Sequence, residues 1–489
     1  MLRNIVNAFL ANGYSVALGL LVIPYYLHHL GPEAFSVYAV SVTVVTVLLL
    51  MDGGGAKVFA REASLHKSGV VSARQLFALK NAMTIVLGAV CFLIILLSDW
   101  FSSLVSQQWF QSSELSIDAL QLGVWFVLLQ ASIQLFSSIW QEGLVGLEQH
   151  KWLYKWNILL ASTRHIGGAA IVGFDNDIVL LMAYFALVSA LAWVVLFLKF
   201  RSLFDISVRI AFSTDFSALK ARLGLGLSIF ATSGLSVLVR QADRVLFSGL
   251  LVMEVYSYYA IGAQVATGLF IISAPIVSIL TPRLVLVLSS REKLRGLYGS
   301  ASDLLALLIV PAAVVLSVYS DLVVKCWFGV ADSNTQIAEI MALLTPAYML
   351  IGLCALLRPL QLALGDLSLQ VWGSVIFFLL RIPIFIFSAY SYGVYGALIS
   401  LITLNLIYFV LWPYLVHKKF GFDRPFDWAM RYAFGIALSF LLAGFSRLFL
   451  SAEDVSRSMA FLICAGVFSA NVFILFLVYR PNREQLESV

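Results

Sequence analysis

Long apolar stretches, most of them about twenty residues in length, follow one another along the whole chain, and each ends at charged residues, glycine or proline. A helix needs about 20 apolar residues to cross a bilayer, and its backbone polar groups must pair within the helix. The pattern therefore predicts about fourteen transmembrane helices. The predicted spans are 5–29, 34–51, 79–98, 119–140, 157–173, 178–198, 224–247, 257–280, 299–319, 337–357, 368–389, 395–415, 432–450 and 458–478.

Composition supports this pattern. Of the 489 residues, 61% are hydrophobic and only 12% are charged, whereas soluble domains carry about 25% charged residues. A soluble globular enzyme, a disordered chain and a nucleic-acid-binding protein are therefore excluded. The predicted fold class is an all-α polytopic membrane protein without a large domain outside the membrane.

The basic residues predict the orientation of the spans. The chain contains 31 Lys and Arg residues. If the N-terminus is cytoplasmic, five of them lie within spans, Lys325 and Arg457 lie outside, and the remaining 24 face the cytoplasm. Cytoplasmic loops of membrane proteins carry such an excess of Lys and Arg. Both termini are therefore predicted to be cytoplasmic.

An internal repeat predicts the arrangement of the lobes. Residues 9–44 match residues 230–265 at ten positions with a constant offset of 221, including Glu33/Glu254 and Tyr38/Tyr259. The offset relates spans 1–2 to spans 7–8, which start on the same side. Parallel repeats of this kind commonly form two lobes around a substrate site. We therefore expect an N-lobe at 1–198, a linker at 199–223, a C-lobe at 224–415, and two further helices with a short tail at 416–489.

Charged residues inside the predicted spans are the strongest functional signal, because each costs about 2.5–3.5 kcal/mol at a helix centre. They could form internal salt bridges that only fix packing, or they could line a water-filled cationic cavity. Guanidinium groups bind phosphate in bidentate fashion, so a cluster of them suits a diphosphate. Asp243, taken as the only strong buried acid, is the candidate for ion coupling. The candidate cavity residues are Arg164, Arg240, Arg244 and Arg381.

Uncharged polar residues and the basic loops add further candidates. Asn7, Gln130 and Gln134 could line the cavity or form hydrogen bonds between helices. The candidate inner-rim or gating residues are Asp52, Lys57, Arg61, Arg283 and Arg358. The scattered cysteines and histidines indicate no disulfide framework and no metal site, and no phosphate-binding loop is present. We expect no catalytic residues and no cofactor, and coupling to H⁺ or Na⁺ is left open.

Several short motifs carry a family resemblance. The N-terminal motifs are Asn7, Asn12-Gly13-Tyr14, Pro24-Tyr25-Tyr26-Leu27, Leu30-Gly31-Pro32-Glu33-Ala34-Phe35, Asp52-Gly53-Gly54 and Arg61-Glu62-Ala63. Together with Asp243-Arg244 followed by Tyr256 and Tyr259, they resemble the Wzx-type polysaccharide flippases of the superfamily that includes MATE extruders and the lipid II flippase.

The resemblance implies a flippase in the bacterial inner membrane. Its substrate would be an undecaprenyl-pyrophosphate-linked oligosaccharide, such as an O-antigen unit, carried from the cytoplasmic to the periplasmic leaflet. The family fold has two six-helix lobes around a V-shaped cationic cavity, plus two trailing helices. By the same resemblance, Asp52 and Arg61 would gate the inner face or cap the next helix. A polysaccharide polymerase and a chain-length regulator would be partners.

Three other classes compete with this interpretation. A MATE-like cation-coupled multidrug extruder should have an acidic or aromatic site, whereas this chain places basic residues in its spans. A membrane glycosyltransferase or ligase should have a large outer loop or clustered acids and histidines, and the longest outer loop here spans only residues 99–118. A structural scaffold would not explain the charges within the spans.

Overall fold

The structure is a computed structural model that describes residues 13–204, 214–329, 334–422, 426–450 and 455–479. Within these ranges the chain is almost entirely helical and forms no strand, which confirms the all-α membrane fold. Residues 13–21 are also helical and lead into the first labelled helix. The helices are α1 Ile23–Leu48, α2 Gly55–Lys67, α3 Ala73–Leu104, α4 Ile117–Gly146, α5 His150–Phe174, α6 Ile178–Ser202, α7 Phe216–Ile229, α8 Leu235–Leu250, α9 Met253–Leu286, α10 Arg291–Val318, α11 Ser320–Phe328, α12 Asn334–Leu353, α13 Leu357–Ala363, α14 Ser368–Lys419, α15 Asp427–Arg447 and α16 Arg457–Tyr479.

Ten helical segments among the described residues are long and apolar enough to cross a membrane. Two of these segments each include residues of two predicted spans: Ile23–Asp52 overlaps spans 5–29 and 34–51, and Ser368–Lys419 contains spans 368–389 and 395–415. Non-helical backbone at Gly31 (φ 80°, ψ 167°) and Gly393 (φ 66°, ψ −159°) divides them. Positive φ favours glycine, which has no Cβ to clash. Both predicted breaks are therefore confirmed, while the total of fourteen crossings stays a prediction.

Side-chain caps fix several helix starts at the ends that the basic residues predict to be cytoplasmic, here called inner ends. Ser72 and Gln75 form a reciprocal capping box at the start of α3. Asp215 Oδ1 accepts a hydrogen bond from the Ala218 N–H at 2.8 Å and thereby caps α7. Hydrogen bonds from Ser217 and Ala218 hold the pKa of Asp215 below its usual range. Each cap satisfies N–H groups that the helix itself leaves unpaired.

The chain divides into two compact units, Met1–Ser257 and Tyr258–Val489. In the first unit α4 is central and packs against α1, α2, α3 and α6. At its inner end an aromatic cluster that includes Phe59, Phe77, Trp140 and Phe200 is buried. In the second unit α10 packs against α12, α15 and α16, and α12 packs against α14.

The boundary between the compact units falls within the first turns of α9, later in the chain than the predicted linker 199–223. The intervening helices α7 and α8 pack on the first unit, since α7 contacts α2 and α3, and α8 contacts α1. Compact units describe packing, whereas the predicted lobes describe an internal repeat, so the lobe division stays a prediction.

The two copies of the predicted repeat share a break in their helices. The first copy breaks at Gly31, next to Leu30. The second copy breaks at Leu251, the repeat counterpart of Leu30, where the backbone is extended (φ −104°, ψ 151°) and ends α8. Matching breaks at matching positions are what two copies of one helix pair should show.

Glycines in α5 let tyrosine hydroxyl groups approach the helix backbone closely. A Cβ atom added at Gly168 would lie 2.3 Å from the Tyr26 hydroxyl oxygen, and one added at Gly167 would lie 1.9 Å from that of Tyr184. Tyr26 is fully buried. Because real Cβ atoms do not approach so closely, α5 can contact α1 and α6 in this way only if these positions remain glycine.

We expect the substitution Gly168→Ala to destabilise the protein by about 1–3 kcal/mol, because the added methyl group overlaps the buried Tyr26 hydroxyl. Thermal unfolding in detergent micelles measures this effect. The matched control is Gly88→Ala, whose new methyl group would meet Phe136 at an ordinary 3.6 Å. Adding Tyr26→Phe should restore most of the lost stability, and equal melting temperatures for the two alanine variants would contradict the prediction.

Candidate functional site

Arg164 lies midway along α5 and joins a hydrogen-bonded group of three helices. Its Nη2 donates to Ser189 Oγ of α6 at 3.1 Å, and Gln134 Nε2 of α4 donates to the same oxygen at 3.2 Å. Two of the predicted cavity residues, Arg164 and Gln134, are therefore brought together. The link is Ser189, a buried serine in an apolar span that we did not predict.

The Arg164 guanidinium retains unused hydrogen-bonding capacity. Among the described residues Arg164 forms no ion pair, and its Nε is buried without a hydrogen-bond partner. The neighbouring groups that act on it electrostatically are the phenols of Tyr38 and Tyr184, which carry no charge to balance it. A basic group at this depth is favourable only beside water, an acid or an anionic ligand.

The polar groups around Arg164 extend to an exposed surface of the unit. The Tyr184 hydroxyl donates to the Thr163 carbonyl oxygen at 2.6 Å, and Tyr14 and Ser162 share a hydrogen bond of 2.8 Å between their hydroxyl groups. Tyr14 is 37% exposed. Hydroxyl groups on an open surface near the centre of the predicted spans suit the wall of a water-filled cavity better than contact with lipid tails.

The charged residues of α8 differ in burial. Asp243 and Arg244 are buried, whereas Arg240, one turn earlier, is exposed. Both buried groups act electrostatically on the hydroxyl of Tyr256, which is itself buried. The spacing correctly places these residues on α8 near one another. The spacing did not indicate that Arg240 is exposed while Asp243 and Arg244 are buried.

The remaining predicted cavity residues are separated. Arg381 is buried within α14 of the second unit, whereas Arg164, Arg240 and Arg244 belong to the first. Gln130 is buried, and within the described ranges its Oε1 accepts no hydrogen bond. Asn7 lies outside the described residues. Convergence of the arginines on one cavity stays a prediction.

At the inner end, Asp52 acts as a cap. Its Oδ1 accepts a hydrogen bond from the Gly54 N–H at 2.9 Å and its Oδ2 accepts one from the Ala56 N–H at 3.2 Å, at the start of α2. Lys57 pairs with Glu142 of α4 at 2.5 Å. Of the other predicted rim residues, Arg283 is partly buried and Arg358 is exposed.

A buried carboxylate joins α2 to α7. Glu62 is 1% exposed and accepts hydrogen bonds from Arg222 Nη2 at 2.8 Å and from Arg61 Nη1 at 2.9 Å. Close by, a Cβ at Gly54 would lie 2.5 Å from the carbonyl oxygen of Gly226. We call the Glu62–Arg222 pair and the Gly54–Gly226 contact the inner strap. The sequence motif drew attention to Arg61 and Glu62, but not to Arg222 as their partner.

A second buried carboxylate organises the opposite end of the first unit. Glu33, beside the break in α1, is 4% exposed. It accepts hydrogen bonds from Ser112 Oγ at 2.6 Å, from the N–H and Oγ of Ser113 at 2.9 and 2.6 Å, and from the Glu114 N–H at 3.0 Å. These bonds fix the loop between α3 and α4 against α1.

The same loop holds the junction between α8 and α9. The Met253 N–H donates to the Gln111 carbonyl oxygen at 3.1 Å, and Trp109 Nε1 donates to Ser248 Oγ at 3.0 Å. Ser36 Oγ also donates to the Met253 carbonyl oxygen. We call these three hydrogen bonds the outer strap. Glu33 stood out in the sequence only through its repeat counterpart Glu254.

The second unit contains a buried acid that the sequence analysis missed. Asp303 of α10 is 5% exposed and accepts hydrogen bonds from Arg431 at 3.0 Å and from the Tyr432 hydroxyl at 2.7 Å. The expectation that Asp243 is the only strong buried acid is therefore wrong. An aspartate near the start of an apolar span was the available signal, and its partners on α15 explain how its burial is stabilised.

Comparisons with known proteins agree with this fold. Residues 162–333 match the sequence family described as polysaccharide biosynthesis proteins. A putative O-antigen transporter of Shigella flexneri is 23% identical over 331 residues, which are 65% of this chain and 74% of the relative. The chain resembles the Wzx-type polysaccharide flippases, as predicted.

Solved structures extend the likeness to nearly the whole chain. The lipid II flippase MurJ, in an inward closed conformation, superposes with a TM-score of 0.72 at 13% identity and covers 98% of this chain and 99% of MurJ. A multidrug resistance MATE family transporter in an inward-facing conformation gives 0.62 at 14% identity, over 83% and 96% of the two chains. The chain thus has the fold of MurJ and of the MATE transporter, and it is a multi-pass membrane protein.

The inner strap predicts a measurable difference between two acidic residues. We expect Glu62→Ala to lower the free energy of unfolding by about 1–3 kcal/mol, because it leaves Nη2 of the partly buried Arg222 without its carboxylate partner. The matched control is Glu148→Ala, which removes an exposed partner of Lys67 and should leave stability nearly unchanged. Urea unfolding in micelles compares them, and equal losses would show that the Glu62 pair contributes nothing beyond a surface contact.

Proposed function

We propose that this protein is a flippase for undecaprenyl-pyrophosphate-linked oligosaccharide. It would carry an O-antigen or similar unit from the cytoplasmic to the periplasmic leaflet of a bacterial inner membrane, with both chain termini in the cytoplasm. The main support for the proposal is the environment of Arg164. This guanidinium sits midway along a predicted span, is oriented by a serine, and has no ion pair among the described residues.

The chemistry of Arg164 suits a phosphate better than an organic cation. A guanidinium presents several N–H donors in a fixed plane, and Arg164 uses Nη2 for Ser189. The remaining donors can form the paired bonds that a phosphate oxygen pair accepts. Gln134 shares the Ser189 acceptor, which fixes the position of the serine hydroxyl and with it the orientation of the guanidinium.

The other predicted arginines would complete a site for two phosphates. In this proposal Arg240, Arg244 and Arg381 join Arg164 at a central cavity, where Gln130 and Asn7 also contribute polar groups. Diphosphate carries more charge than one guanidinium can neutralise, so arginines from several helices are needed. The names of the O-antigen transporter relative and of the lipid II flippase support a substrate with a lipid-linked anionic group.

Transport would proceed by alternating access. The headgroup enters from the cytoplasm past the inner rim, the arginines hold the diphosphate, and the sugars occupy the aqueous cavity while the lipid tail remains in the bilayer. Asp243 is the residue that we assign to coupling with H⁺ or Na⁺. A polysaccharide polymerase and its chain-length regulator would act on the product.

A MATE-like multidrug extruder is the second candidate, favoured by the likeness to a MATE transporter. At this identity the likeness concerns the fold alone. An extruder of organic cations needs acidic or aromatic groups at its site, because a like charge repels the substrate. Arg164 therefore favours the anionic substrate.

Replacing Arg164 tests the proposal in cells. We expect Arg164→Ala to reduce surface polysaccharide by about 10–100-fold, the effect of losing hydrogen bonds to a charged group, and Arg164→Lys to retain part of the activity because a lysine keeps the charge but not the paired donors. Polysaccharide is measured by gel and protein abundance by immunoblot. Arg74→Ala, which removes an exposed charge outside the spans, is the control and should leave export unchanged.

Two outcomes would contradict the proposal. One is normal polysaccharide with Arg164→Ala at normal abundance. The other is resistance of wild-type-expressing cells to cationic dyes without any change in polysaccharide, which would favour the extruder.

A further inference from the structure

The segment from α7 to the start of α9 is joined to the rest of the first unit by hydrogen bonds at both ends. The inner strap joins α7 to α2, and the outer strap joins the α8–α9 junction to the α3–α4 loop and to α1. These attachments explain why α7 and α8 group with the first unit. In the predicted lobe division, the same helices begin the other lobe.

The outer strap has the geometry of a detachable contact. Two of its three hydrogen bonds are made by Met253, which follows the extended residue Leu251 at the start of α9, and the third is made by Ser248 in the last turn of α8. Gln111 and Val252 form an isolated parallel bridge, which is the shortest piece of strand pairing that a chain can make. Trp109 and Gln111 are exposed, whereas Ser36 and Met253 are buried. Once water reaches them, the three hydrogen bonds can be exchanged for bonds to water at small net cost.

Packing behind the strap is incomplete. An apolar cavity of about 260 Å³ lies below it. Its wall includes Val37 of α1, Val127 of α4, and Val245 and Ser248 of α8. Side chains that border a void lack contacts on one side, so separating α8 from α1 and α4 here loses less dispersion energy than separating close-packed helices. The hydrogen bonds of the outer strap therefore contribute a large share of the interaction energy that holds α8 against α1 and α4 at this end.

Glu33 fixes one side of the strap in place. Four N–H and O–H groups of residues 112–114 bind its carboxylate, so the loop that presents Gln111 and Trp109 is anchored to α1 and not to α8. When α8 moves away, the loop stays with α1. The two sides of the strap then separate cleanly, and the carboxylate keeps its partners.

We propose that the outer strap is the gate that closes the predicted periplasmic exit, and that Glu33 is the positioning residue of this gate. The inference rests on the alternating-access transport proposed above. The inner strap is its counterpart at the predicted cytoplasmic end. A transporter that opens one end at a time breaks one strap while the other holds.

A disulfide across the outer strap tests the gate. In a background whose four cysteines (Cys91, Cys326, Cys354, Cys464) are replaced by alanine, Gln111→Cys with Val252→Cys joins the two bridged positions. Directly bridged residues have Cα atoms close enough for a disulfide, and the periplasm is oxidising. We expect the cross-linked protein to lose at least about tenfold of its polysaccharide export and to recover it after reduction.

Matched controls separate the cross-link from the substitutions. Each single cysteine variant, and the double variant kept reduced, should export at the level of the cysteine-free parent. Full export by the cross-linked protein, equal loss in the reduced protein, or failure of the pair to cross-link would each overturn the proposal. If the cysteine-free parent and the wild-type protein both fail to export polysaccharide, the proposed function is wrong. The gate proposal is then tested by labelling, which does not depend on export activity.

Labelling of the cavity wall reports the gate directly. A cysteine at Val127, which is 3% exposed, should react with a water-soluble maleimide in the purified protein only when the strap opens. We expect the disulfide to suppress this labelling several-fold and Glu33→Ala to increase it. Labelling of Glu33→Asp should lie between that of Glu33→Ala and that of the wild type, while its melting temperature equals that of the wild type. Labelling that follows the melting temperature of each variant, and not the state of the strap, would mean that Glu33 is only structural.

Discussion

The requirement that buried polar groups find partners determines how the helices of this protein are joined. Apolar side chains alone hold membrane helices together weakly, because lipid tails are equally apolar. Here the specific links are carboxylates: Glu62 joins α2 to α7, and Glu33 joins α1 to the α3–α4 loop. A carboxylate left unpaired in such a place would cost several kcal/mol. These few contacts therefore select one arrangement among many that would bury the same apolar area.

The same requirement distinguishes Arg164 from the other buried charges. Glu33, Glu62 and Asp303 each accept several hydrogen bonds, so the structure accounts for their burial. Arg164 is bonded to one serine, and its Nε lacks a partner among the described residues. A group that the fold does not satisfy is the natural place for a ligand of opposite charge. Arg164, and not the more numerous basic residues at the inner ends, is therefore the group that most needs an anionic partner.

The sequence predicted the features that depend on local pattern. The spans follow from hydropathy, and the breaks at Gly31 and Gly393 follow from residues that end helices. The capping role of Asp52 was one of the alternatives that its motif suggested. The features that were missed depend on contacts between distant segments. Neither Ser189 nor Arg222 differs from its neighbours in any one-dimensional pattern, and only the packing of α6 on α5 and of α7 on α2 gives them their partners. Asp303 shows the limit most clearly, because its partner follows 128 residues later.

That separation has a consequence for biosynthesis. The α10 helix enters the membrane with Asp303 well before Arg431 and Tyr432 of α15 have been translated. At roughly 5–20 residues per second, the ribosome needs on the order of ten seconds to make the intervening chain. During this interval the carboxyl group must stay protonated, stay near the lipid headgroups, or be sheltered by the insertion machinery. Synthesis of α15 thus completes the polar contacts of Asp303, and a chain that terminates before α15 would leave this carboxyl group without them.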